Sequence, residues 1–494
     1  MRRSGPGAAL CLAGLTVLAM LFLAAPAGAA RPLTTAITDG GQLFISDQAV
    51  PAQRRVRRAG ARAVRLTVNW NATAPNDSNR PSGFDAANPA DPHYDWYPTD
   101  QGVKAAATNH LTPILTVVFA PRWAERSSGG PQGTNSPDPH ELALFAQALA
   151  RRYSGHFGGL PRVRYYMAWQ EANYSLFLNP LYQGSDYDHA TRLLAPDHYR
   201  AMVNAFADAV HGVNGGNRVV AGGLAPFTID TPPQQRGFAP LTFMAKLLCM
   251  SGGRHPHATC SSVTRFDIWA HHPYTPGGPR HRAGRPDDVA LGDLPRMTRL
   301  LRAARHAGHI AHRGRGVPFW ATEFGWDTNP PDPGGLPLRL HARWTSESLY
   351  VMWRSGISLV TWFLLRDNPT DPPLGSSYQT GLWFRCSGGL GCDRPKPALR
   401  AFRFPFVAYR KRHRRVYVWG RTPGGRRGRV AVEQRIHGHW RRLRTLRTNR
   451  YGIFSRRLRR RGGGSLRVRR VHTRDRSRPF SLHRPRDRDV QPFG

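Results

Sequence analysis

Several features that would assign this 494-residue sequence to a particular class of protein are scarce in it. It has only five cysteines, which excludes a small disulfide-dense scaffold. It has a single long apolar run, near the N-terminus, which argues against a membrane protein with many spans. Only 31 acidic residues face 71 basic ones, and only four of the basic residues are lysines. Such an arginine bias fits a GC-rich genome as well as it fits selection for polyanion binding.

The residues that are abundant describe a large folded protein. Apolar residues make up 40% of the chain and aromatic residues 10%, which excludes a disordered polymer and supports a sizeable core. The formal net charge is +40, but it is unevenly spread, because residues 403–494 hold 30 basic and only four acidic residues. The positive charge is therefore mainly a property of the C-terminal region, and it does not by itself indicate nucleic-acid binding.

The N-terminus has the pattern of a secretory signal. Arg2 and Arg3 precede an apolar run from Ala8 to Ala25, and Ala27-Gly28-Ala29 supplies the small residues of a cleavage site. We expect a signal peptide over residues 1–29 and a secreted or cell-surface protein with no stable membrane span after cleavage. The alternative is an uncleaved anchor, because the run approaches the ~18 residues that a span requires.

Four cysteines remain beyond the signal, in two close pairs. Cys249 and Cys260 form one pair, and Cys386 and Cys392 form the other. An even number in an exported chain predicts two local disulfides. A zinc site is the alternative for the first pair, since histidines lie nearby, but the spacing matches no recognised zinc motif.

Short β-branched runs alternate with amphipathic stretches after the signal. The predicted strands cover Thr35–Thr38, Ala63–Trp70, Thr112–Phe119, Arg162–Trp169, Arg218–Leu224, Phe266–His272, Pro318–Glu323 and Ser358–Leu364. The predicted helices cover 48–59, 99–109, 138–154, 196–213, 240–250, 293–309, 339–355 and a closing helix around 396–410.

Eight strands that alternate with helices predict an α/β fold with a parallel sheet, closed as a (β/α)8 TIM barrel over residues 31–410. The connections from helix to strand are short, whereas those from strand to helix are long. All the long loops would leave the C-terminal face, where barrel active sites lie. An open doubly wound sheet is the alternative, but no glycine-rich phosphate loop follows any strand.

The pattern changes beyond residue 411. Short alternating segments separated by turn residues predict a small all-β module over 411–472, and the Arg-, Pro- and Asp-rich remainder, 473–494, is expected to be a disordered basic tail. The charge of this region makes an anionic cell-wall polymer or an extracellular acidic polysaccharide a candidate partner. Nucleic acid fits the charge equally well, but no recognised binding motif accompanies it. A structural cap whose surface is merely arginine-rich is the alternative.

Two predicted strands end in a glutamate. Glu171 closes the fourth strand and Glu323 closes the seventh, and each has a tryptophan within three residues in the sequence. Because these strands lie on opposing arcs of a barrel, the two carboxylates can face each other across its mouth. Such a pair suits glycoside hydrolysis, in which one carboxyl group donates a proton and the other attacks the sugar.

These segments resemble the clan A glycoside hydrolases, which are retaining barrel enzymes, and among them the family 39 and family 5 types. Trp169–Asn173 is similar to the family motif Trp-Asn-Glu-Pro-Asn, which implies that Glu171 is the acid/base. Glu323, followed by Phe324-Gly325-Trp326, resembles the nucleophile segment. The resemblance spans roughly residues 35–405.

The resemblance also implies supporting roles at the mouth. His272 and Tyr274 match the family's His-x-Tyr, in which the tyrosine hydrogen-bonds the nucleophile and the histidine lines the subsite. Arg65 matches an arginine that keeps the nucleophile ionised, and Trp362 matches an aromatic floor under the cleaved sugar. Trp326 is a candidate for stacking on a sugar face. No cofactor and no metal are implied.

The motif departs from the family pattern at two positions. Gln170 stands where the family has asparagine, and Ala172 replaces proline. Gln170 remains a candidate substrate-binding residue, with a reach longer by one methylene group. The sequence therefore predicts an exported retaining hydrolase acting on a polysaccharide, oligosaccharide or glycoconjugate. A non-catalytic carbohydrate- or wall-binding protein on a degenerate barrel is the alternative.

Overall fold

A computed structural model of the chain describes residues 31–39, 43–184, 189–231, 235–370, 377–483, 485 and 487–490. The predicted signal peptide and its possible role as an anchor lie outside these residues. Across the described ranges, none of the helices combines the length and the apolarity needed to cross a bilayer.

Eight parallel strands close into a barrel, as predicted. In chain order they are β1 (Thr34–Thr38), β2 (Ala63–Asn69), β3 (Thr112–Val118), β4 (Tyr165–Ala168), β5 (Arg218–Leu224), β6 (Ile268–His271), β7 (Phe319–Ala321) and β8 (Ile357–Phe363). Each strand pairs with its neighbours in sequence, and β8 pairs with β1 to close the ring. This order confirms the (β/α)8 fold over the open-sheet alternative.

Helices follow the strands and surround them. They are α1 (Ala49–Arg58), α2 (Tyr97–Thr108), α3 (Pro139–Arg152), α4 (Ala195–Val213), α5 (Pro240–Leu247), α6 (Leu294–His306), α7 (Leu338–Arg354) and α8 (Pro397–Arg403). Most of them begin with a proline in the first turn, which is a local sequence signal for a helix start. In α3, for example, the Asp138 side chain accepts hydrogen bonds from the backbone N–H groups of His140 and Glu141, and Pro139 occupies the first turn.

The interior of the barrel is filled by a small apolar cluster. Its members come from all eight strands and comprise Ala36, Ala63, Ile114, Met167, Val220, Ile268, Ala270, Trp320 and Leu359. Because side chains alternate along a strand, the position two residues after Ala63 also points inward, and Arg65 occupies it. A buried charge at that depth needs partners, and it finds them in the carboxyl groups at the mouth.

Beyond the barrel, seven antiparallel strands form two sheets. They are β9 (Phe406–Lys411), β10 (Arg415–Arg421), β11 (Arg429–Ile436), β12 (His439–Arg447), β13 (Ile453–Arg459), β14 (Ser465–Arg470) and β15 (Phe480–Ser481). The first sheet has the order β9-β10-β13 and the second has the order β12-β11-β14-β15. Trp419 attaches them to the barrel by packing on Tyr350 and Trp353 of α7, with ring centroids 5.4 and 5.6 Å apart.

The end of the barrel differs from the prediction. The closing helix stops at Arg403, and Phe406–Lys411 forms strand β9 paired with β10. The predicted boundary between residues 410 and 411 therefore cuts through a hairpin, and the β-rich region begins at Phe406. Apolar residues at Phe406, Val407 and Ala408 fit a buried strand as well as a helix, so their pattern could not distinguish the two.

The expected disorder of residues 473–494 is also not observed where the chain is described. Phe480 and Leu482 are buried, and β15 pairs with β14. Farther along, the Val490 N–H donates to the carbonyl of Pro276 in the β6–α6 loop. A few buried apolar side chains and one strand pairing thus order a segment whose composition predicted no ordered structure.

Both predicted disulfides are present. Cys249 bonds to Cys260, and Cys386 bonds to Cys392. The first pairing removes the alternative of a zinc site at Cys249 and Cys260, because a disulfide offers no thiolate to a metal.

Candidate active site at the barrel mouth

Glu171 lies in a tight turn just after β4. Trp169 and Glu171 both have positive φ, at 68° and 44°, so the chain leaves the strand through two left-handed residues. The Glu171 N–H then donates to the carbonyl of Gly223 on β5, at 2.9 Å. This bond fixes the carboxyl group over the barrel mouth, where its side chain is 13% exposed.

Glu323 lies two residues after β7, and two donors hold its carboxylate. Arg65 Nη1 lies 2.6 Å from Oε1, and the hydroxyl of Tyr274 donates to Oε2 at 3.1 Å. Arg65 is itself 2% exposed, and its Nε donates to the Thr116 hydroxyl on β3. The charge of the guanidinium is therefore delivered to Glu323 from inside the barrel.

One histidine links the two glutamates. Nδ1 of His272 lies 2.6 Å from Glu171 Oε1 and 3.7 Å from Glu323 Oε2. Its neighbour His271 points the other way, as expected from strand alternation, and bonds the Val289 carbonyl. Burial lowers the pKa of His271 to about 3, so it stays neutral and outside the site.

The environment drives the two carboxyl groups in opposite directions. Burial, helped by the negative charge of Glu323, raises the pKa of Glu171 despite its hydrogen bond to His272. Burial acts in the same sense on Glu323, but the positive charges of His272 and Arg65, with hydrogen bonds from Arg65 and Tyr274, outweigh it and lower its pKa. A proton shared by the pair therefore resides on Glu171.

The three groups are close enough to act on one bond. One oxygen of each glutamate and a ring nitrogen of His272 all lie within 4.8 Å of one another. Such a trio has the donor types of a cation site, yet Arg65 already supplies Glu323 with positive charge. The arrangement is suited to proton transfer and to nucleophilic attack.

Gln170 turns toward the same arginine. Arg65 Nη2 donates to Gln170 Oε1, which orients the amide so that its nitrogen points away from the guanidinium. The extra methylene group of glutamine, relative to the asparagine of the resembling motif, is thus accommodated by a contact with Arg65. The Gln170 side chain is half-buried at the mouth.

The two tryptophans predicted to contact sugar do not reach the mouth. Trp362 is fully buried (0% exposed), packs on His341 and Phe402 in the helix layer, and donates from Nε1 to the Thr380 carbonyl. Its strand presents Leu359 to the barrel interior, so Trp362, three positions on, faces outward. Trp326 is 1% exposed and packs between Phe324 and Trp344.

Other aromatic residues lie near the carboxyl groups instead. Phe363 alternates inward from Leu359, and its ring packs edge-on against Tyr378, with centroids 5.1 Å apart. Tyr378 is 36% exposed, and burial together with the charges of Glu323 and Glu171 raises its pKa to about 12. Sequence reasoning missed both. A one-residue shift along β8 would have found Phe363, whereas Tyr378 lies in a long loop without a pattern.

Known proteins resemble this chain in structure and not in sequence. No protein-family model matches the sequence, and neither does any curated protein. Among solved structures, a family 39 glycoside hydrolase from Bacteroides cellulosilyticus aligns at 12% identity and TM-score 0.46, over 87% of this chain and 81% of its own. A family 39 enzyme from Xanthomonas axonopodis pv. citri aligns at 14% identity and TM-score 0.47, over 87% and 91%.

Proposed function

We propose that this protein is a retaining glycoside hydrolase, with Glu323 as the nucleophile and Glu171 as the acid/base. The observation that carries the proposal is the pair of carboxyl groups at one barrel mouth, with Arg65 against Glu323 and His272 against Glu171, in environments that shift the two pKa values in opposite directions. A protonated acid beside an ionised carboxylate is the state that this reaction requires at its start.

The spacing of the carboxyl groups favours retention over inversion. Oxygens of Glu171 and Glu323 approach within 4.8 Å. Retaining enzymes hold their carboxyl groups about 5–5.5 Å apart, whereas inverting enzymes need about 6.5–9.5 Å to admit a water molecule. The pair is therefore placed for direct attack by one carboxylate on the anomeric carbon.

In the first step, an oxygen of Glu323 attacks the anomeric carbon as the glycosidic C–O bond breaks. The proton of Glu171 passes to the departing oxygen, and a glycosyl ester of Glu323 forms. Tyr274 and Arg65 hold Glu323 in place through its two oxygens, which fixes the direction of attack.

In the second step, water attacks the same carbon and Glu171, now ionised, takes its proton. The ester bond breaks, and Glu323 leaves as the carboxylate that Arg65 stabilises. His272 Nδ1, at 2.6 Å from Glu171, orients this carboxyl group throughout both steps.

The substrate class follows from the surroundings of the pair. We propose a polysaccharide, oligosaccharide or glycoconjugate as substrate, with the Phe363 and Tyr378 rings offered to the apolar face of a sugar. We also propose that the enzyme acts outside the cell. The two disulfides support export, because such bonds persist in oxidising compartments.

Trapping of the covalent intermediate tests the proposal. A panel of 2-deoxy-2-fluoro glycosides with good leaving groups should inactivate the enzyme, and peptide mass spectrometry should locate the added sugar on Glu323. On a natural substrate, proton NMR should show the product first in the anomeric form of the substrate.

The control is Glu141→Gln on α3, which removes a carboxylate that pairs with Arg80. This variant should be labelled like the parent. Product of inverted configuration would contradict the assignment of the nucleophile. Tight binding of a glycan from an array without any product would instead support the non-catalytic alternative.

A further inference from the structure

The strongest unexplained feature lies at the junction of α1, α8 and the C-terminal sheets. Two recesses of roughly 320 and 610 Å³ adjoin there and share Arg403 and Asp475 in their walls. Arginines from the barrel, such as Arg58, meet arginines from the C-terminal strands and turns, such as Arg426 and Arg474. We call the two recesses together the arginine groove.

The charge in the arginine groove is largely uncompensated. Asp475 is the one acidic residue among the described residues that line either recess, and it pairs with Arg403 at 2.8 Å. Arg62 and Arg400 are held differently, because each donates from Nε to a backbone carbonyl, of Gly424 and of Arg476. Their positions are fixed by neutral acceptors, and their charges remain available to a ligand.

A buried cation adds to this field from behind the groove. Arg421 is 2% exposed and lies beside Gly425, which follows the lining residue Gly424. A Cβ atom on Gly425 would stand only 2.9 Å from Nη2 of Arg421. Its hydrogen bond from Nη1 goes to the Thr35 hydroxyl, and within the described part of the chain no carboxylate pairs with it. An unpaired buried charge is costly, so a retained one raises the positive potential of the surface above it.

The arginines also repel one another. Burial and the charges of Arg57 and Arg426 lower the pKa of Arg62, and burial with Arg476 and Arg478 lowers the pKa of Arg400. Guanidinium groups that lower each other's pKa gain energy when an anion enters between them. The groove is thus built at a cost in stability that a bound anion would offset.

We propose that the arginine groove binds a single chain of an acidic polysaccharide, in recesses whose described lining includes none of the glutamate, histidine or arginine residues of the barrel mouth. Planar guanidinium groups match carboxylate and phosphate groups in a bidentate manner, and two adjoining recesses suit successive anionic groups of one polymer. This inference does not depend on hydrolysis at the mouth. It would provide the tether that keeps a chain of this charge on an anionic matrix.

The groove favours a polysaccharide over a nucleic acid. Proteins that bind single-stranded nucleic acid stack its bases on aromatic side chains. The aromatic residue in the described lining, Phe404, is 2% exposed and so presents no face for stacking. Duplex DNA is a broad rod, and it does not enter recesses whose inner walls carry half-buried arginines such as Arg62 and Arg403.

Two triple variants of the full chain test the proposal. Arg58→Gln/Arg426→Gln/Arg474→Gln removes three exposed charges from the groove, and Arg441→Gln/Arg442→Gln/Arg444→Gln removes three exposed charges from β12, away from both recesses. The probe is oligogalacturonate at about 0.1 M NaCl, with neutral dextran oligomers and a single-stranded oligonucleotide for comparison. Circular dichroism and melting temperature establish that both variants are folded.

We expect the groove variant to bind oligogalacturonate about tenfold more weakly than the parent, since each exposed charge contact contributes little alone. The β12 variant should change by less than about twofold. Equal losses in the two variants would overturn the proposal in favour of a diffuse field. Tighter binding of the oligonucleotide than of oligogalacturonate, lost in the groove variant, would also overturn it. The trapping of Glu323 should be unchanged in both variants, so the two proposals fail separately.

Discussion

The barrel mouth and the arginine groove handle charge in opposite ways. At the mouth, Glu323 has Arg65 at 2.6 Å and Tyr274 at 3.1 Å, and Glu171 has His272 at 2.6 Å. In the groove, many arginines share Asp475 as their acidic neighbour, and two of them, Arg62 and Arg400, donate to backbone carbonyls. The mouth is nearly neutral and internally paired, whereas the groove is incomplete without an anion.

This difference separates a reactive site from a docking site. Pairing within a buried cluster sets which group holds the proton, and it changes little with the solution outside. Unpaired charges at a surface act over a distance and are screened by salt. The same residue type, arginine, thus tunes a pKa inside the barrel mouth and provides uncompensated positive charge in the groove.

Removing either carboxyl group at the mouth should have the largest effect. We expect Glu323→Gln and Glu171→Gln each to reduce turnover by about 10³-fold, within the range for lost acid/base or nucleophilic groups. Glu171→Gln should be partly spared with aryl glycosides, whose leaving groups need little protonation. Initial rates on poorly and well activated substrates measure this.

The groove variant is the matched control for that experiment. Full turnover in Arg58→Gln/Arg426→Gln/Arg474→Gln, beside lost turnover in the glutamate variants, would keep the two regions distinct. Near-normal rates in either glutamate variant on a true substrate would remove that glutamate from the mechanism.

Removing the arginine at the mouth should shift the pH dependence. Because Glu323 must be ionised and Glu171 protonated, activity should follow a bell whose acid limb reports Glu323, below the ordinary glutamate value of about 4.3. In Arg65→Gln, burial of Glu323 is no longer opposed by that charge, so the acid limb should move to higher pH. The profile of kcat/KM against pH measures it.

An unmoved acid limb in Arg65→Gln would mean that Arg65 only fills space. The comparison variant is Arg80→Gln, which breaks the surface pair with Glu141 and should leave both limbs where they are.

The sequence predicted the elements of the mouth because barrel topology brings strand ends together. Glu171, Glu323 and His272 come from β4, β7 and β6, and eight alternating strands are enough to place all three at one rim. The direction of each side chain was less accessible. Strand β8 is buried on both faces, so its apolar run does not show which side chains face the barrel interior. Trp362 was therefore predicted at the position that Phe363 occupies.

The order of the described residues 473–483 and 487–490 was missed for a different reason. Composition averages over a segment, and the Arg- and Pro-rich average over 473–494 hides the buried Phe480 and Val490. The arginine groove was equally hidden, because its arginines come from α1, α8 and distant turns of the sheets. Only the folded chain shows that Arg58 and Arg426 line one recess.

Raising the salt concentration should weaken polymer binding in the groove more than it changes activity at the mouth, with a smaller effect than the substitutions above. The screening length falls from about 10 Å at 0.1 M to about 3 Å at 1 M salt. Over that range we expect binding of oligogalacturonate to weaken at least about tenfold, while kcat/KM for a neutral aryl glycoside changes less than about twofold. Titrations and initial rates in the same NaCl series measure both. A parallel loss of activity would indicate that the mouth, too, depends on long-range charge.

The smallest expected effect concerns the buried residues beneath the mouth, where two carboxyl groups lie near a single ammonium group. Lys396 donates to Asp367 at 2.6 Å and to the Gln379 carbonyl, next to Tyr378, while Asp327 accepts from the Gln379 N–H. Burial raises the pKa of Asp327 and of Asp367 to about 6 each, although the positive charge of Lys396 acts in the opposite sense on both.

An aspartate whose pKa is higher in the folded state than its unfolded value of about 3.9 binds more protons when folded. The free energy of unfolding should therefore fall as the pH rises from about 4 to 6, and Asp327→Asn should remove part of that fall. At pH 7 the variant should melt about 1–3 °C above the parent, whereas Asp197→Asn at an exposed pair should not. A lower melting temperature would mean that Asp327 is ionised and stabilises the charge of Lys396. The buried charges beneath the mouth would then be fully paired, as Glu323 is.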